Sequence, residues 1–519
     1  MIAPSGAPAP GPARELPGAA PGPAGAPWAT LRASLLDPRS HGALLVACAS
    51  IILFARAGAG PLPNYDDAYY AEKAKQMLHT GDWLTPRFAG AERLDNPPLF
   101  LWLIAASFAV MGVNAFAAVF WSALAGVACV WLTHRLALRL GREPFEAWAA
   151  GLVLLGTGYV LKYANHAMFD VFLMALFLAA LLAYRAAWEG SARAWAALGL
   201  CAGLGVLTKS ALGLFPLVVA GVHALATGRT LRSLRDGAWL SPLVAAAVVA
   251  PWYGYQLATH REAFLAEHVA WLLVERGTGA GVGAPPLDPL GYLRELAVTY
   301  WPWLPAALAG LALTAREAAG LRRPAAWGPR VSAVLLLVWL AVVLGVMSFG
   351  REKKLWYVMS AFPALALLSA RALAVWLRSP VLRARVVVLG FALVAAVGAT
   401  LAFTPWGSAP VRRGDLQQVA LASRSLVPAG EPVAFLGGEY FSVAHQYVFY
   451  SDRTLLRGDG DPAAVRRALD AGGWALVSRE AWPEVAGPDT ARFARVVSSG
   501  GWTLVHRAPA PEVTLEPVR

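Results

Sequence analysis

Long apolar runs separated by short polar stretches repeat along most of this 519-residue chain. A helix rises about 1.5 Å per residue and needs roughly 17–25 apolar residues to cross a bilayer. The pattern predicts about eleven such helices, with thirteen as the upper limit. Their approximate bounds are 42–58, 117–134, 146–161, 170–187, 195–208, 211–227, 238–257, 295–314, 331–348, 356–376 and 386–404. We therefore predict an all-α polytopic membrane protein over residues 41–405.

The further apolar segment 99–113 (LFLWLIAASFAVMGV) decides the topology. If it lies along the outer interface, all the arginine clusters between the spans fall on the cytoplasmic side, as the positive-inside rule requires. If it crosses the bilayer, the later clusters move outside. We therefore predict an interfacial helix at 99–113, a cytoplasmic N-terminus and a C-terminus outside.

The two ends of the chain differ from the membrane part. Residues 1–30 are rich in Pro, Gly and Ala without periodicity, which predicts a disordered cytoplasmic tail reaching to about residue 40. From about residue 410 the composition turns polar, with alternating strand-like and helix-like runs. The predicted strands are 432–437, 474–478 and 502–506, and the predicted helix is 461–472. A small soluble α/β domain at 410–519, on the outer face, follows from this pattern.

Composition supports a membrane protein and excludes other classes. Hydrophobic residues make up 57% of the chain and charged residues 15%, whereas a soluble domain has about 25% charged residues. The net charge of +12 is spread in small clusters between the apolar runs, whereas a nucleic-acid binder concentrates it on one soluble face. The three cysteines lie within apolar runs, so they predict neither a disulfide framework nor a thiolate metal site.

The predicted topology brings polar residues from distant connections to the outer face. The first outer connection, 59–98, contains the acidic pair Asp66 and Asp67. Later outer connections add further charged groups. The set that can converge is Asp66, Asp67, Asp170, Lys209, His268, Arg276, Lys353 and Lys354.

The lysines are distributed unevenly. Only six of the 44 basic residues are lysines, and the topology places all six on the outer side. A compact ammonium suits a phosphate that must be bound and released. Chance is the alternative, because 59–98 is simply the longest polar connection. We favour a functional role for Lys209, Lys353 and Lys354, and a solvated helix face for Lys73 and Lys75.

The acids also have a simpler interpretation. Asp66 and Asp67 precede a helix expected to begin near Ala68, where an aspartate is a good N-cap. Asp170 could likewise be an ordinary acid at a helix N-terminus, and His268 an ordinary surface histidine. A carboxylate held near the lipid boundary can, however, act as a general base on an acceptor hydroxyl.

The first outer loop resembles that of the GT-C membrane glycosyltransferases. DDAYYAEKAKQMLHTGDWLTPRFAG followed by LDNPPLFLWL is similar to the bacterial protein-mannosyltransferase-like and lipid A aminoarabinose-transferase-like enzymes, of glycosyltransferase family 39 type. Later matches occur in the same order. They are His166 to Asp170, Leu207 to Lys209, Ala250 to Tyr253, Glu267-His268 and Lys354 to Tyr357. The resemblance covers roughly residues 40–375.

The resemblance implies inverting transfer of a sugar from a polyprenyl-phosphate carrier, at the periplasmic face of a bacterial inner membrane. The acceptor would be a lipid, a glycan or a protein. The resemblance assigns catalysis to Asp66, Asp67 and Asp170, with Asp66 as base. It assigns the donor phosphate to Lys209, Arg276, Lys353, Lys354 and Tyr357, and the substrate pocket to Tyr69, Tyr70, Asn96 and His166. It leaves a divalent cation open, with Asp95 and His268 as the positions that would contact it.

Two positions depart from the aminoarabinose-transferase pattern. Those enzymes carry a basic residue where this chain has Tyr69, and a lysine where it has Asn96. Both would contact the donor phosphate, so their absence argues against an aminoarabinose donor, and a neutral hexose or another pentose fits as well.

Two other classes compete with an enzyme. A transporter or flippase of a lipid-linked glycan needs ionisable groups or broken helices near the membrane midplane, and His223 is the main mid-span candidate. The alternative for His223 is a hydrogen-bonded core histidine. A receptor or scaffold would leave the acidic loop unexplained. We therefore favour a glycosyltransferase.

Overall fold

Helices dominate the fold and follow the predicted apolar runs. The computed structural model describes residues 35–55, 57–63, 65–276, 286–320, 327–403, 414–457, 460–487 and 492–507. Most of the predicted N-terminal tail lies outside these residues. The helices of the membrane part are α1 (His41–Phe54), α2 (Asp66–Thr80), α3 (Leu99–Met111), α4 (Ala115–Arg139), α5 (Pro144–Leu155), α6 (Gly158–Ala164), α7 (Asp170–Ala187), α8 (Ala192–Lys209), α9 (Phe215–Ala226), α10 (Thr230–Arg235), α11 (Leu240–Thr259), α12 (Arg261–Phe264), α13 (Gly291–Thr299), α14 (Leu304–Ala319), α15 (Pro329–Ser348), α16 (Phe362–Trp376) and α17 (Pro380–Phe403).

Shorter elements interrupt this series. They are 3₁₀ turns at Ser210–Leu214 and Leu355–Ala361, a π-helix at Leu265–Arg276, and a hairpin of β1 (Arg87–Phe88) and β2 (Ala91–Glu92). The hairpin and α2 belong to the first outer loop, so this loop is folded rather than extended.

Six helical runs among the described residues are long and apolar enough to cross a membrane. They are α4, α7, residues 192–226, α15, residues 355–376 and residues 380–401. Helices α5 and α6, bent by 62°, make a seventh if they are counted as one span. The chain is thus a multi-pass membrane protein. Every predicted span contains a helix, but the count of eleven crossings stays a prediction.

The run 192–226 turns back on itself at Ser210, whose φ is 46°. A Cβ on Gly213 would lie 2.1 Å from the carbonyl carbon of Gly205. In a straight helix these residues would be about 12 Å apart. Helices α8 and α9 are therefore separate segments, in agreement with the predicted break between 208 and 211.

Helix α3 occupies the apolar segment that decides the topology. Its 13 residues span about 20 Å, short of the roughly 30 Å of a bilayer core. Its Trp102 indole donates to the carbonyl of Trp83, and the Leu103 carbonyl accepts from the indole of Trp121. This length agrees with a helix that does not cross by itself, and its orientation in the bilayer stays a prediction.

The C-terminal residues form an α/β fold. Its elements are α18 (Asp415–Leu426), β3 (Val433–Leu436), α19 (Phe441–Ser451), β4 (Leu455–Arg457), α20 (Pro462–Asp470), β5 (Trp474–Ser478), α21 (Trp482–Ala486), β6 (Ala494–Ser499) and β7 (Trp502–His506). The sheet order is β4-β3-β5-β7-β6, with β3 parallel to β4 and β5 and the remaining pairs antiparallel. The three predicted strands and the predicted helix are present. Strands β4 and β6 are additional: β4 has only three residues, and β6 has a single buried residue among its six.

The C-terminal domain packs against the first outer loop through α19. The core on one face of its sheet includes Phe88, which comes from the hairpin of the loop. The ring of His445 in α19 lies 4.8 Å from that of Tyr69 and 5.1 Å from that of Phe88. The loop therefore has protein on both sides, the helical bundle and the domain.

The burial of His445 makes the stability of the protein depend on pH. It lowers the pKa of His445 to about 4, so the unfolded chain takes up this proton at a higher pH than the folded chain. The contribution of His445 to the free energy of unfolding is therefore complete above about pH 6.5. It is lost as the pH falls towards 4, because in that range only the unfolded chain gains the proton. We expect the Tm of the purified protein to fall more between about pH 7 and about pH 5 in the wild type than in His445→Phe. Equal falls would show that other groups control the acid response.

Candidate functional site

A cavity of about 330 Å³ lies where the first outer loop meets the ends of several membrane helices. Five of the residues predicted for the site line it: Asp66, Tyr70, Asn96, Lys209 and Tyr357. They come from four separate stretches of the chain, since Asp66 and Tyr70 both belong to α2. The apolar part of the lining, here called the apolar wall, consists of Phe169, Leu212, Phe215, Leu272, Leu273, Val346 and Met347. The cavity therefore combines one charged region with a surface suited to hydrocarbon.

Asp66 and Asp67 occupy the first turn of α2, where a negative charge interacts favourably with the helix dipole. The helix begins at Asp66 itself, two residues before the expected start at Ala68, and Tyr65 is the N-cap. The capping interpretation is therefore wrong for both acids. Successive helix residues diverge by about 100°, so the two side chains point to different surroundings.

Asp67 anchors the loop to the bundle. It is 3% exposed, one of its oxygens lies 2.9 Å from His166 Nδ1, and the other accepts the Ala167 backbone N–H at 2.6 Å. Neither Asp67 nor His166 is among the described residues that line the cavity. The geometry thus favours a positioning role for this pair, and the catalytic role of Asp67 stays a prediction.

Asp170 and Lys209 form an ion pair at the rim of the bundle. Asp170 is 1% exposed at the start of α7, and Lys209 ends α8 at the point where the chain turns back. The Lys209 ammonium lies 4.8 Å from the ring centroid of Tyr357 and 4.9 Å from that of Phe169. Aromatic faces stabilise a partly desolvated cation, so Lys209 keeps a fixed positive charge at the cavity.

A second buried ion pair joins Lys73 to Asp95 within the loop. Lys73 also donates to the Asn96 side-chain oxygen at 3.0 Å, and Asp95 accepts from the Tyr69 hydroxyl at 3.2 Å. Burial lowers the pKa of Lys73, and Asp95 opposes this shift. Burial is also the main reason that the pKa of Tyr69 is raised. The expectation of a solvated helix face is therefore wrong for Lys73, which is fully buried, and for Lys75, which is 3% exposed.

The Asn96 amide has a defined orientation because of Lys73. An ammonium only donates, so the group 3.0 Å from it must be the amide oxygen. No described residue accepts a hydrogen bond from the Asn96 NH₂ group, and Asn96 lines the cavity, so this group is available to a ligand acceptor.

His268 connects the π-helix to the loop and to the turn after Lys209. Its Nδ1 lies 3.0 Å from the Leu94 carbonyl, which requires a proton on Nδ1. Nε2 then accepts from the Tyr253 hydroxyl at 3.0 Å and the Ser210 hydroxyl at 3.2 Å. The surface interpretation is wrong, since His268 is fully buried and this burial lowers its pKa.

Among the described residues, no group of three or more His, Cys, Asp or Glu side chains is placed to hold a metal ion. Asp95 is hydrogen-bonded to Lys73 and Tyr69. His268 is hydrogen-bonded to Leu94, Tyr253 and Ser210. A divalent cation at these positions stays a prediction.

Lys353 and Lys354 are not among the described residues that line the cavity, although each contacts one that does, Gly350 and Glu352 respectively. Lys353 donates to carbonyl oxygens at the end of α15, including that of Ser348 at 2.8 Å. Burial lowers the pKa of Lys353. Lys354 pairs with Glu352 at 3.4 Å, and its side chain is 41% exposed. The Arg276 side chain is outside the described residues.

Sequence reasoning missed several residues that line the cavity. They are Pro97, Thr208, Ser210, Ala211, Gly350, Glu352 and Trp356, besides the apolar wall. Most are neighbours in sequence of predicted residues, so a wider window around Lys209 and Tyr357 would have included them. The apolar wall has no local signal that separates it from other spans.

Helical packing settles the interpretation of His223. Its Nδ1 lies 2.8 Å from the Tyr184 hydroxyl and its Nε2 3.0 Å from the Val331 carbonyl. His223 is fully buried. It is the hydrogen-bonded core histidine of the simpler interpretation, so it gives a transport pathway no support.

Fold and site together define a polytopic membrane protein with one cavity between the loop that carries the acidic pair and Lys209, which is ion-paired to the buried Asp170. The family model for dolichyl-phosphate-mannose-protein mannosyltransferases matches residues 95–255. Over 342 residues the chain is 35% identical to the undecaprenyl phosphate-alpha-4-amino-4-deoxy-L-arabinose arabinosyl transferase of Pseudomonas aeruginosa. That match covers 61% of this chain and 58% of the relative. A transferase of the same name from Pseudomonas savastanoi is 30% identical over 64% of this chain and 61% of its own length.

Solved structures show the same fold at low identity. ArnT from Cupriavidus metallidurans in the apo state has a TM-score of 0.69 at 18% identity, covering 89% of this chain and 97% of ArnT. ArnT bound to undecaprenyl phosphate has a TM-score of 0.69 at 17% identity, with 90% and 98% covered. The Archaeoglobus fulgidus oligosaccharyltransferase has a TM-score of 0.53 at 13% identity, with 84% and 68% covered.

These comparisons confirm the resemblance to GT-C membrane glycosyltransferases of the ArnT type. The chain spans less than two thirds of the length of the Pseudomonas relatives that it matches.

Proposed function

We propose that the chain is an inverting glycosyltransferase that takes its sugar from a polyprenyl-phosphate donor. The acceptor is a lipid, a glycan or a protein at the periplasmic face of the inner membrane. One observation carries the proposal: Asp66 and Lys209, 143 positions apart in the sequence, border one cavity that also has an apolar wall. A base, a cation and a surface for hydrocarbon are the three components that such a donor requires.

In the proposed step, the acceptor oxygen replaces the phosphate oxygen at the anomeric carbon of the sugar. The acceptor hydroxyl gives its proton to the Asp66 carboxylate, and its oxygen bonds to the anomeric carbon. The bond from that carbon to the phosphate oxygen breaks, and the electron pair stays on the polyprenyl phosphate. Attack opposite the leaving group inverts the anomeric centre. Lys209 stabilises the charge that develops on the leaving phosphate, while Asp170 holds the ammonium in place.

The distribution of charge supports an outer location for the cavity. Asp170 begins α7 and Arg185 lies near its end, about 22 Å further along the helix axis. At that far end Arg185 donates to the carbonyl of Arg139, and Arg142 pairs with Glu317. Arginines thus gather at the end of the bundle opposite the cavity. By the positive-inside rule, this distribution supports a cytoplasmic location for that end and a periplasmic location for the cavity.

Comparing membranes with and without the protein by lipid and glycan mass spectrometry tests the proposal. We expect one glycolipid or glycan to be lost on deletion and restored by the wild-type chain. An unchanged set of glycans in the deletion would contradict sugar transfer.

Asn96 provides a test of the donor site. Its free NH₂ group would donate one hydrogen bond to the donor phosphate, a contribution of about 1 kcal/mol. We expect Asn96→Leu to weaken binding of undecaprenyl phosphate about fivefold in detergent, measured by quenching of tryptophan fluorescence. Gln418→Leu, an exposed amide in the C-terminal domain, serves as the control and should bind as the wild type does. Unchanged affinity in Asn96→Leu would remove Asn96 from the donor site.

A further inference from the structure

Helix α19 of the C-terminal domain is hydrogen-bonded to the segment that precedes the acidic pair. Its Tyr450 hydroxyl accepts the Leu62 backbone N–H at 2.8 Å, and its Gln446 amide donates to the Leu62 carbonyl at 2.8 Å. Further along the loop, Lys75 donates to the Phe449 carbonyl and to Asp452, both at 2.7 Å. The domain therefore contacts the loop on both sides of Asp66.

Between these contacts the backbone adopts a conformation that L-residues rarely take. Tyr65 has φ 69° and ψ −128°, and it immediately precedes Asp66. A residue with a Cβ in this region costs on the order of 1–3 kcal/mol and persists only where its surroundings enforce it. The direction in which the chain enters α2, and hence the placement of Asp66, depends on what holds Tyr65.

The C-terminal domain supplies two of the contacts that hold Tyr65. His445 Nδ1 lies 3.1 Å from the Tyr65 carbonyl oxygen, and the Tyr65 hydroxyl donates to Glu439 at 3.3 Å. A carbonyl only accepts, so His445 carries its proton on Nδ1. The packing of the His445 ring against Tyr69 and Phe88 leaves this donor little freedom.

We infer that His445 is a positioning residue for Asp66. By donating to the Tyr65 carbonyl it keeps the strained turn in the conformation that directs the Asp66 carboxylate to the cavity. The C-terminal domain is then part of the working enzyme, although His445 itself touches no substrate. This inference rests on the proposed function, in which Asp66 is the base.

Two substitutions at one position separate the hydrogen bond from the packing. His445→Phe keeps an aromatic ring but removes the donor, and His445→Asn keeps a donor close to the position of Nδ1 but removes the ring. In membranes we expect the rate of product formation to fall about 10-fold to 100-fold in His445→Phe, because a misplaced base loses its near-attack geometry. His445→Asn should retain most of the rate. Binding of undecaprenyl phosphate should stay within about twofold of the wild type in both.

A second-site variant tests the strain itself. Glycine adopts positive φ without penalty, so Tyr65→Gly combined with His445→Phe should recover a large part of the rate lost in His445→Phe. A wild-type rate in His445→Phe would overturn the inference. So would a loss of rate in His445→Phe that is matched by an equal loss of lipid binding and of Tm, since that pattern indicates general unfolding.

Hydrogen exchange keeps the inference testable if the chain transfers no sugar. In His445→Phe we expect backbone amides of residues 65–70 to exchange about tenfold faster than in the wild type, with the helices of the bundle unchanged. Unchanged exchange at 65–70 contradicts the positioning role whatever the activity. Faster exchange together with an inactive wild type would refute the proposed function and leave the structural role of His445 intact.

Discussion

Asp66→Asn is expected to lower product formation at least about 100-fold while leaving the fold and lipid binding intact. A general base typically contributes a factor of about 10² to 10⁴, and an amide of the same shape cannot take up the acceptor proton. The measurement is the product of the deletion comparison, quantified per amount of protein in membranes. Binding of undecaprenyl phosphate should change little, because the cation at the cavity, Lys209, is untouched.

Asp288→Asn is the matched control for this substitution. Asp288 lies in another connection that is predicted to be outer. It pairs with Arg294, and it is not among the described cavity residues. This variant should form product at the wild-type rate. If Asp66→Asn forms as much product as Asp288→Asn does, Asp66 is not the base.

The second large effect concerns the ion pair at the bundle rim. Lys209→Met should abolish transfer, because the cation at the leaving phosphate is lost. It should also destabilise the protein by about 3 kcal/mol, since the buried Asp170 carboxylate loses the ammonium. Asp170→Asn combined with Lys209→Met removes both charges, and we expect it to recover most of the stability but none of the transfer. Thermal unfolding and product quantification separate the two effects.

Lys162→Met provides the control for losing a lysine on the same face. The Lys162 ammonium lies 5.3 Å from the ring centroid of Tyr163 and is exposed. Both stability and transfer should stay close to the wild type in this variant. Wild-type transfer by the double variant at Asp170 and Lys209 would show that the pair is only structural.

Sequence reasoning located five of the residues that line the cavity but not the role of each predicted side chain. Asp66 and Lys209 could be found because the predicted topology brings their connections to one face of the membrane, and Tyr357 because it belongs to the matches with the GT-C enzymes. Asp67 and Lys353 lie in connections of the same kind. Their side chains point to His166 and to the end of α15. Spacing along the chain cannot distinguish these cases, because side-chain direction depends on where neighbouring helices cross.

The docking of the C-terminal domain had no signal in the sequence. The contact of His445 with the Tyr65 carbonyl joins residues 380 positions apart, through a backbone atom that every residue type shares. The environment of Lys73 also had no signal in the sequence. Its helix is mildly polar, and Lys73 becomes a buried cation only because the rest of the loop, including Asp95, packs against it. Neither environment can be inferred from local composition.

The sequence by itself determined the membrane class, the positions of the helices, the acidic loop and the α/β character of the tail. These properties depend on apolar length, turn residues and local charge, all of which are local along the chain. Only the tertiary structure decided that Lys209 pairs with Asp170, that Asp67 anchors the loop, and that a distant domain holds the turn before Asp66. Those contacts arise where segments far apart in sequence pack together, and their energies depend on distance and burial in three dimensions.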